Sequence, residues 1–414
     1  MEIVFREIVK LPSTTYATHG LYMYPAKFIP HVVRYAIEKY SKAGDWIFDP
    51  FAGYGTVAIE ATLTNRNALL WDLNPMTEVL TYASTYRGDI SLEDFEINWE
   101  YDNPFHPRWK NILYWHPKKF YDILSKLWGY WHFEIYDKAK KKEELQKAYL
   151  IAIPLFKITR YFSYSDEKIS KLYKSKYAIE KVKTLLSVNW KRKMIEMYWN
   201  EVRKIVKKIE DYKKFNPRNV DIEIKTSRKL NGKLIIFDAI REKLDRNINL
   251  TITSPPYLQA QEYIRSFKLE LAWLGFSEND LRELRKHEIP YNNSMFVDVR
   301  SRQYQELRKE ILKFKNDKLL KIFDAYFSSL ICVLNNIYEK TEIVAIFIGP
   351  VKIRTLRIPI DEIIREHLEF MGFRHVETLR DKIVVRRLFK TKVNPATGLE
   401  DERTPTEHLL VMRK

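Results

Sequence analysis

The sequence predicts an α/β fold with a mainly parallel sheet and a large helical insertion. Three observations predict it: short apolar runs alternating with helix-like stretches in both flanks, a glycine turn between a strand-like run and a helix, and a central block almost free of glycine. The runs at 45–48, 68–72, 234–238, 248–253 and 343–348 have strand length, and the helix-like stretches between several of them suit the crossovers that parallel strands require. With 414 residues the chain exceeds one average domain and has room for a second module. Its 45% hydrophobic and 30% charged residues exclude a fibrous or largely disordered chain.

The organisation is read as 1–88, an insertion at 89–228, and 229–414. The insertion holds 30 Lys/Arg against 20 Asp/Glu, seven of the ten tryptophans and a single glycine, Gly129. Few tight turns and the spacing of Phe120–Trp131 and Ile195–Tyr212 predict long helices. The whole chain carries a formal charge of +17, which favours a polyanionic partner. Tyr161 and Tyr164, followed by Lys168, Lys171, Lys174 and Lys176, mix stacking faces with cations and suit a nucleic-acid backbone. A solvated helix with core aromatics explains the same residues nearly as well. A second charged stretch, 277–320, reads as another excursion from the sheet.

Asp45–Phe48 reads as a strand, Asp49-Pro50-Phe51-Ala52-Gly53-Tyr54-Gly55-Thr56 as a turn, and Val57–Leu63 as a helix. Gly53 and Gly55 permit tight backbone angles and close approach of a ligand, and the helix start offers free N–H groups. Asp72 ends the next strand, about 20 residues on, where a carboxylate can accept ribose hydroxyls. With Ala58 the loop also fits a dinucleotide pattern, so NAD and S-adenosylmethionine both suit it. Asp49 at the strand end favours the second, because a carboxylate meets a pyrophosphate unfavourably and a cationic methionine end favourably.

The run Asn249–Thr253 leads into Ser254-Pro255-Pro256-Tyr257. Two prolines remove two donors and fix φ, leaving nearby carbonyls rigidly aimed as acceptors. Acceptors on an exocyclic amine, the Ser254 hydroxyl among them, can free the nitrogen lone pair for attack on a methyl group. Tyr257 offers a flat face to a base taken out of the duplex.

Asp49–Thr56 together with Thr253–Tyr257 resembles the amino-group DNA methyltransferases, with Ser254 similar to the cytosine-N4 branch. Tyr24-Pro25-Ala26-Lys27-Phe28-Ile29-Pro30, after His19-Gly20, resembles the segment closing over the methionine moiety. Ile235-Ile236-Phe237-Asp238-Ala239 resembles the strand whose acid contacts the cofactor adenine, and Glu407–Val411 a closing strand. The resemblance implies a Rossmann-like class I methyltransferase that methylates a flipped cytosine in double-stranded DNA from S-adenosyl-L-methionine. A cognate restriction endonuclease acting at the same site is implied as partner. The site residues implied are Lys27, Phe28, Asp49, Pro50, Phe51, Gly53, Gly55, Thr56, Asp72 and Asp238 for the cofactor, and Ser254, Pro255, Pro256 and Tyr257 for the target. An adenine-N6 enzyme, an RNA methyltransferase and a non-enzymatic basic binding module are the alternatives. The insertion lies between the Asp72 and Asp238 strands, unlike the arrangements commonly described, so its role in target recognition rests on charge and aromatics.

Cys332, the only cysteine, sits in an apolar helix-like run, which disfavours thiolate chemistry and a disulfide framework and suits a reducing cytoplasm. The nine histidines show no paired ligand spacing, so no metal is expected. The charged N-terminus does not read as a signal peptide, and no apolar run approaches the roughly 18 residues that span a bilayer, so no membrane partner is expected.

Overall fold

In the computed structural model, which describes residues 2–169, 171–258, 262–290, 297–382 and 406–414, the sheet is built outward from the two strands that carry the sequence motifs. Its strands are β1 (Glu2–Ile3), β2 (Trp46–Asp49), β3 (Asn67–Asp72), β4 (Ile222–Thr226), β5 (Ile248–Thr253), β6 (Thr341–Ile348), β7 (Arg374–Lys382) and β8 (Thr406–Arg413). They lie in the order β1-β7-β8-β6-β5-β2-β3-β4. β8 runs antiparallel to β6 and β7, and the remaining pairings are parallel.

The central strands are apolar because both faces are covered, as crossover helices require. On one face α1 (Pro30–Tyr40) and α2 (Thr56–Thr64) pack Val33, Ile37, Val57 and Ala61 against Ile47, Leu70 and Ile252. On the other, α8 (Asp317–Ile337) packs Phe327, Leu330 and Leu334 in one core with Phe48, Leu69 and Trp71, joined by α9 (Ile360–Phe370). α8 is long and apolar enough to cross a membrane by length and composition, and 61% of its most apolar window is buried inside this core.

Between α3 (Met76–Ser84) and β4 the chain leaves the sheet. The excursion contains α4 (Lys118–Tyr130), α5 (Lys142–Tyr161), α6 (Lys176–Leu186) and α7 (Trp190–Lys214). Its tryptophans supply an internal core: Trp128 and Trp131 are fully buried, their indole N–H groups donating to Thr159 Oγ1 at 2.9 Å and to the Ala148 carbonyl at 2.8 Å. One buried ion pair fastens it to the polypeptide that follows the Pro-Pro turn. Arg160 Nη1 reaches Glu270 Oε1 at 2.7 Å, and the Tyr22 hydroxyl donates to the same oxygen at 2.8 Å.

Two expectations change here. The strand expected at 234–238 does not join the sheet: Lys233–Ile235 folds back on Arg228–Leu230 as a hairpin, and 236–238 lies outside any strand. The reason is Asn231-Gly232, with φ of 50° and 75°, the pair of positive angles that a two-residue hairpin turn demands. The sheet edge is instead Ile222–Thr226, which falls inside the 89–228 stretch and pairs with β3. The charged stretch 277–320 contains the helices Glu278–Lys286 and Arg302–Lys313 and the start of α8; its residues 291–296 lie outside the described residues.

Removing one partner of the buried pair leaves the other charged in an apolar setting. Glu270→Gln is therefore expected to lower unfolding free energy by about 3 kcal/mol in urea titrations, and the double change Arg160→Met with Glu270→Leu to recover most of it.

Candidate active site

The site begins with a register. β2 and β5 are parallel neighbours, with Ile47 opposite Leu250 and Phe48 opposite Thr251, so both chains exit the sheet at the same carboxyl edge. In open α/β sheets ligands bind outside that edge. There the Thr253 hydroxyl donates to Asp49 Oδ1 at 2.6 Å, and the same oxygen accepts from the Phe51 N–H at 3.0 Å. Asp49 is 1% exposed, and burial pushes its carboxyl up to about 7. Its side chain thus braces the two loops against each other and is not among the residues lining the cleft between them.

That cleft is open to solvent. Of the residues expected at the site, Lys27, Phe28, Pro50, Phe51, Gly53, Asp72, Asp238, Ser254 and Pro256 line it. Glycine loop and Pro-Pro turn therefore share one cavity. Asp72 accepts the Gly53 N–H at 2.7 Å on Oδ2 and the Asn74 N–H at 2.8 Å on Oδ1; burial lifts its carboxyl to about 6. Gly53, at φ 53°, lies against the Tyr24 ring, 3.1 Å from where a Cβ would stand.

The other expected residues lie off the cleft. Gly55 has φ 84°, and a Cβ there would stand 2.2 Å from Thr81 Oγ1, so this glycine serves the close approach of α2 to α3. The Thr56 hydroxyl donates to the Phe28 carbonyl at 3.3 Å. Pro255 is buried, and the half-buried Tyr257 donates its hydroxyl to Glu407 Oε1 on β8. The Pro256 carbonyl accepts from Tyr326 at 2.9 Å.

The N-terminal segment forms one wall. Lys27 turns its ammonium away, donating to the carbonyls of Thr14 and His19 and lying 4.8 Å from the Tyr54 ring centroid; burial lowers it to about 8. Glu60 on α2 holds the same segment from below, with His19 Nε2 2.7 Å from Oε1 and Arg34 Nε donating to Oε2 at 2.7 Å. Tyr24 stacks on Tyr263 with centroids 6.0 Å apart.

The opposite wall was not legible in the sequence. It consists of Tyr263, Ile264, His287, Glu288 and Ile289, with His287 Nδ1 3.1 Å from Asp238 Oδ2. These residues obey no spacing that links them to the motifs.

Among the nucleic-acid candidates, Lys168, Lys171 and Lys176 are exposed, while Tyr161, Tyr164 and Lys174 are half-buried. The chain's own cations cover the aromatic faces: Lys174 Nζ lies 3.9 Å from the Tyr164 centroid and Lys181 Nζ 5.0 Å from that of Tyr161. More exposed rings stand beside them, Tyr114 at 56% and Tyr173 at 54%. This segment lies off the cleft.

The donor set fits S-adenosylmethionine. Phe51, Ile240 and Ile289 offer apolar faces, Asp72 and Asp238 offer carboxylates, and two buried atoms, Asn74 Nδ2 and Glu288 Oε2, have no hydrogen-bond partner among the described residues. One is a donor and the other an acceptor, as a ligand with both functions requires.

Fold and cleft define a Rossmann-like methyltransferase. The family described as DNA methylase, of the N6/N4 type, matches residues 7–83. The type II methyltransferase M.BsoBI of Geobacillus stearothermophilus is 23% identical over 424 residues, covering 87% of this chain and 79% of that protein. The type II methyltransferase M.MjaII of Methanocaldococcus jannaschii is 29% identical over 84 residues, 20% of this chain and 16% of that protein. Over residues 7–83, and along most of its length in the alignment with M.BsoBI, the chain is similar to the N6/N4 amino-group DNA methyltransferases.

Thr253→Val removes a donor from an already disfavoured carboxylate. It is expected to cost about 1–3 kcal/mol of stability in urea titrations at pH 8, and less at pH 5, where Asp49 is protonated in both proteins.

Proposed function

We propose that this protein transfers a methyl group from S-adenosyl-L-methionine to the exocyclic N4 amine of cytosine at a defined site in double-stranded DNA. The observation that carries the reading is the single cleft lined by Gly53 and Asp72 on one side and Ser254 and Pro256 on the other. Ser254 in the Ser-Pro-Pro-Tyr turn favours cytosine. The names of both relatives support a place in a type II restriction-modification system, whose endonuclease would cut the same site.

The cofactor, when bound, supplies an electrophilic methyl on a sulfonium. Phe51, Asp72, Asp238 and Asn74 would hold it. The Pro256 carbonyl being engaged by Tyr326 and Pro255 being buried off the cleft, the acceptors proposed for the target amine are the Ser254 hydroxyl and the Ser254 carbonyl. They orient the N–H groups and pull the nitrogen toward tetrahedral geometry, so that catalysis is by orientation and electrostatics with no covalent enzyme intermediate. Tyr257, tethered to Glu407, would present its ring to the base. The exposed lysines of the insertion, with Tyr114 and Tyr173, would carry the DNA.

Mass analysis of nucleosides from DNA treated with enzyme and cofactor is expected to show N4-methylcytosine; N6-methyladenine would assign the other branch, and transfer to RNA alone would refute the DNA reading. Ser254→Ala is expected to lower turnover by about 100-fold with cofactor affinity unchanged, checked by tritium transfer and calorimetry.

Affinity for the cationic cofactor should weaken as pH falls from 7 toward 5, as the cleft carboxyls Glu288 and Asp72, raised by burial to about 7 and about 6, protonate, and Asp72→Asn should reduce the part of that loss that falls around pH 6. The sign for stability is opposite. A carboxyl whose pKa is higher folded than unfolded contributes stability below about pH 4, which is lost as pH rises through about 6.

A further inference from the structure

Glu288 follows the helix Glu278–Lys286 and is 7% exposed. Its Oε1 accepts the Ile264 N–H at 2.9 Å, whereas Oε2 is buried with no hydrogen-bond partner among the described residues. A buried acceptor left unsatisfied is unfavourable, so within a cleft it marks the place of a ligand donor. Burial also pushes this carboxyl up to about 7.

Its neighbours locate it along the cleft. His287, one residue back, meets Asp238, and Ile289, one residue on, packs around Ile240 with Phe51 and Ala239. Ile264 adjoins Tyr263, whose phenol feels the charges of both Asp72 and Glu288. Glu288 therefore lines the same cleft as Asp72 and Asp238, the cleft that an adenosine would occupy. Asp72 already holds two backbone N–H groups, one on each oxygen. An oxygen lining the same cleft that has no such commitment is Glu288 Oε2.

We propose that Glu288 is a cofactor-binding residue that accepts a hydrogen bond from a ribose hydroxyl of S-adenosylmethionine, supplied by a segment outside the sheet. The proposal rests on the cofactor reading of the cleft given above. It assigns the far wall an active part in holding the nucleoside, and it satisfies the orphaned oxygen.

The test is calorimetric titration with S-adenosylhomocysteine and with its 2′-deoxy and 3′-deoxy analogues. Wild type is expected to bind the parent and to bind at least one deoxy analogue about tenfold more weakly. Glu288→Met, which keeps the length and removes both oxygens, is expected to bind the parent about tenfold more weakly and to lose most of that deoxy penalty; Glu288→Ala is the second variant if the first does not fold. A full deoxy penalty retained in the variant, or none in wild type, would overturn the assignment. So would unchanged cofactor binding with lost DNA methylation, which would move Glu288 to the base. Wild type that binds no S-adenosylhomocysteine would instead overturn the cofactor reading itself, and this proposal with it.

Discussion

The structure depends on the clamp between two adjacent strand ends, where the Thr253 hydroxyl donates to the buried carboxylate of Asp49. Parallel pairing fixes the register of β2 and β5, but register alone leaves the exits free to diverge. A charge-assisted hydrogen bond in a low-dielectric interior is stronger than its counterpart in water, and the loss of either partner strands the other. The carboxylate that appeared suited to touch a cationic ligand instead holds the two ligand-bearing loops at a fixed separation. Catalysis by orientation requires that kind of rigidity, because positioning errors of an ångström cost orders of magnitude in rate.

The insertion obeys a different economy. Its tryptophans build an internal core and its cations, apart from the buried Arg160 and Lys181, stay mostly outside, so the basic excess of 89–228 is displayed without burdening the sheet. Arg160 and Glu270 join this unit to the helix that follows the Pro-Pro turn. The region proposed to carry DNA is thereby tied to the region proposed to hold the base. Lys174 lies over both Tyr114 and Tyr164, so the polar and stacking parts of that surface are organised before any nucleic acid arrives. Phosphate contacts by such lysines make binding dependent on salt.

The glycine turn, the strands beside it and the Pro-Pro turn were legible because each is local: a period, a residue with unusual φ, a missing donor. The sheet edge was misplaced because Ile222–Thr226 alternates apolar and polar residues, whereas Lys233–Ile235 is part of a more continuous apolar run. Asn231-Gly232 is the local signal for the hairpin. Gly55 looked like a ligand contact, yet its need for a bare Cα comes from Thr81, on another helix. His287 and Glu288 lie 49 and 50 residues beyond Asp238 in a charged stretch, and only tertiary packing brings them to the cleft. Side chains whose role depends on what lies across a cavity carry no local mark.

The decisive measurement is a crystal structure of the protein with S-adenosylhomocysteine. The adenine is expected toward Asp238 and the thioether sulfur facing Ser254 across the cleft. A ligand seated outside the cavity that Gly53 and Ser254 share, or one whose sulfur points away from the Pro-Pro turn, would contradict it.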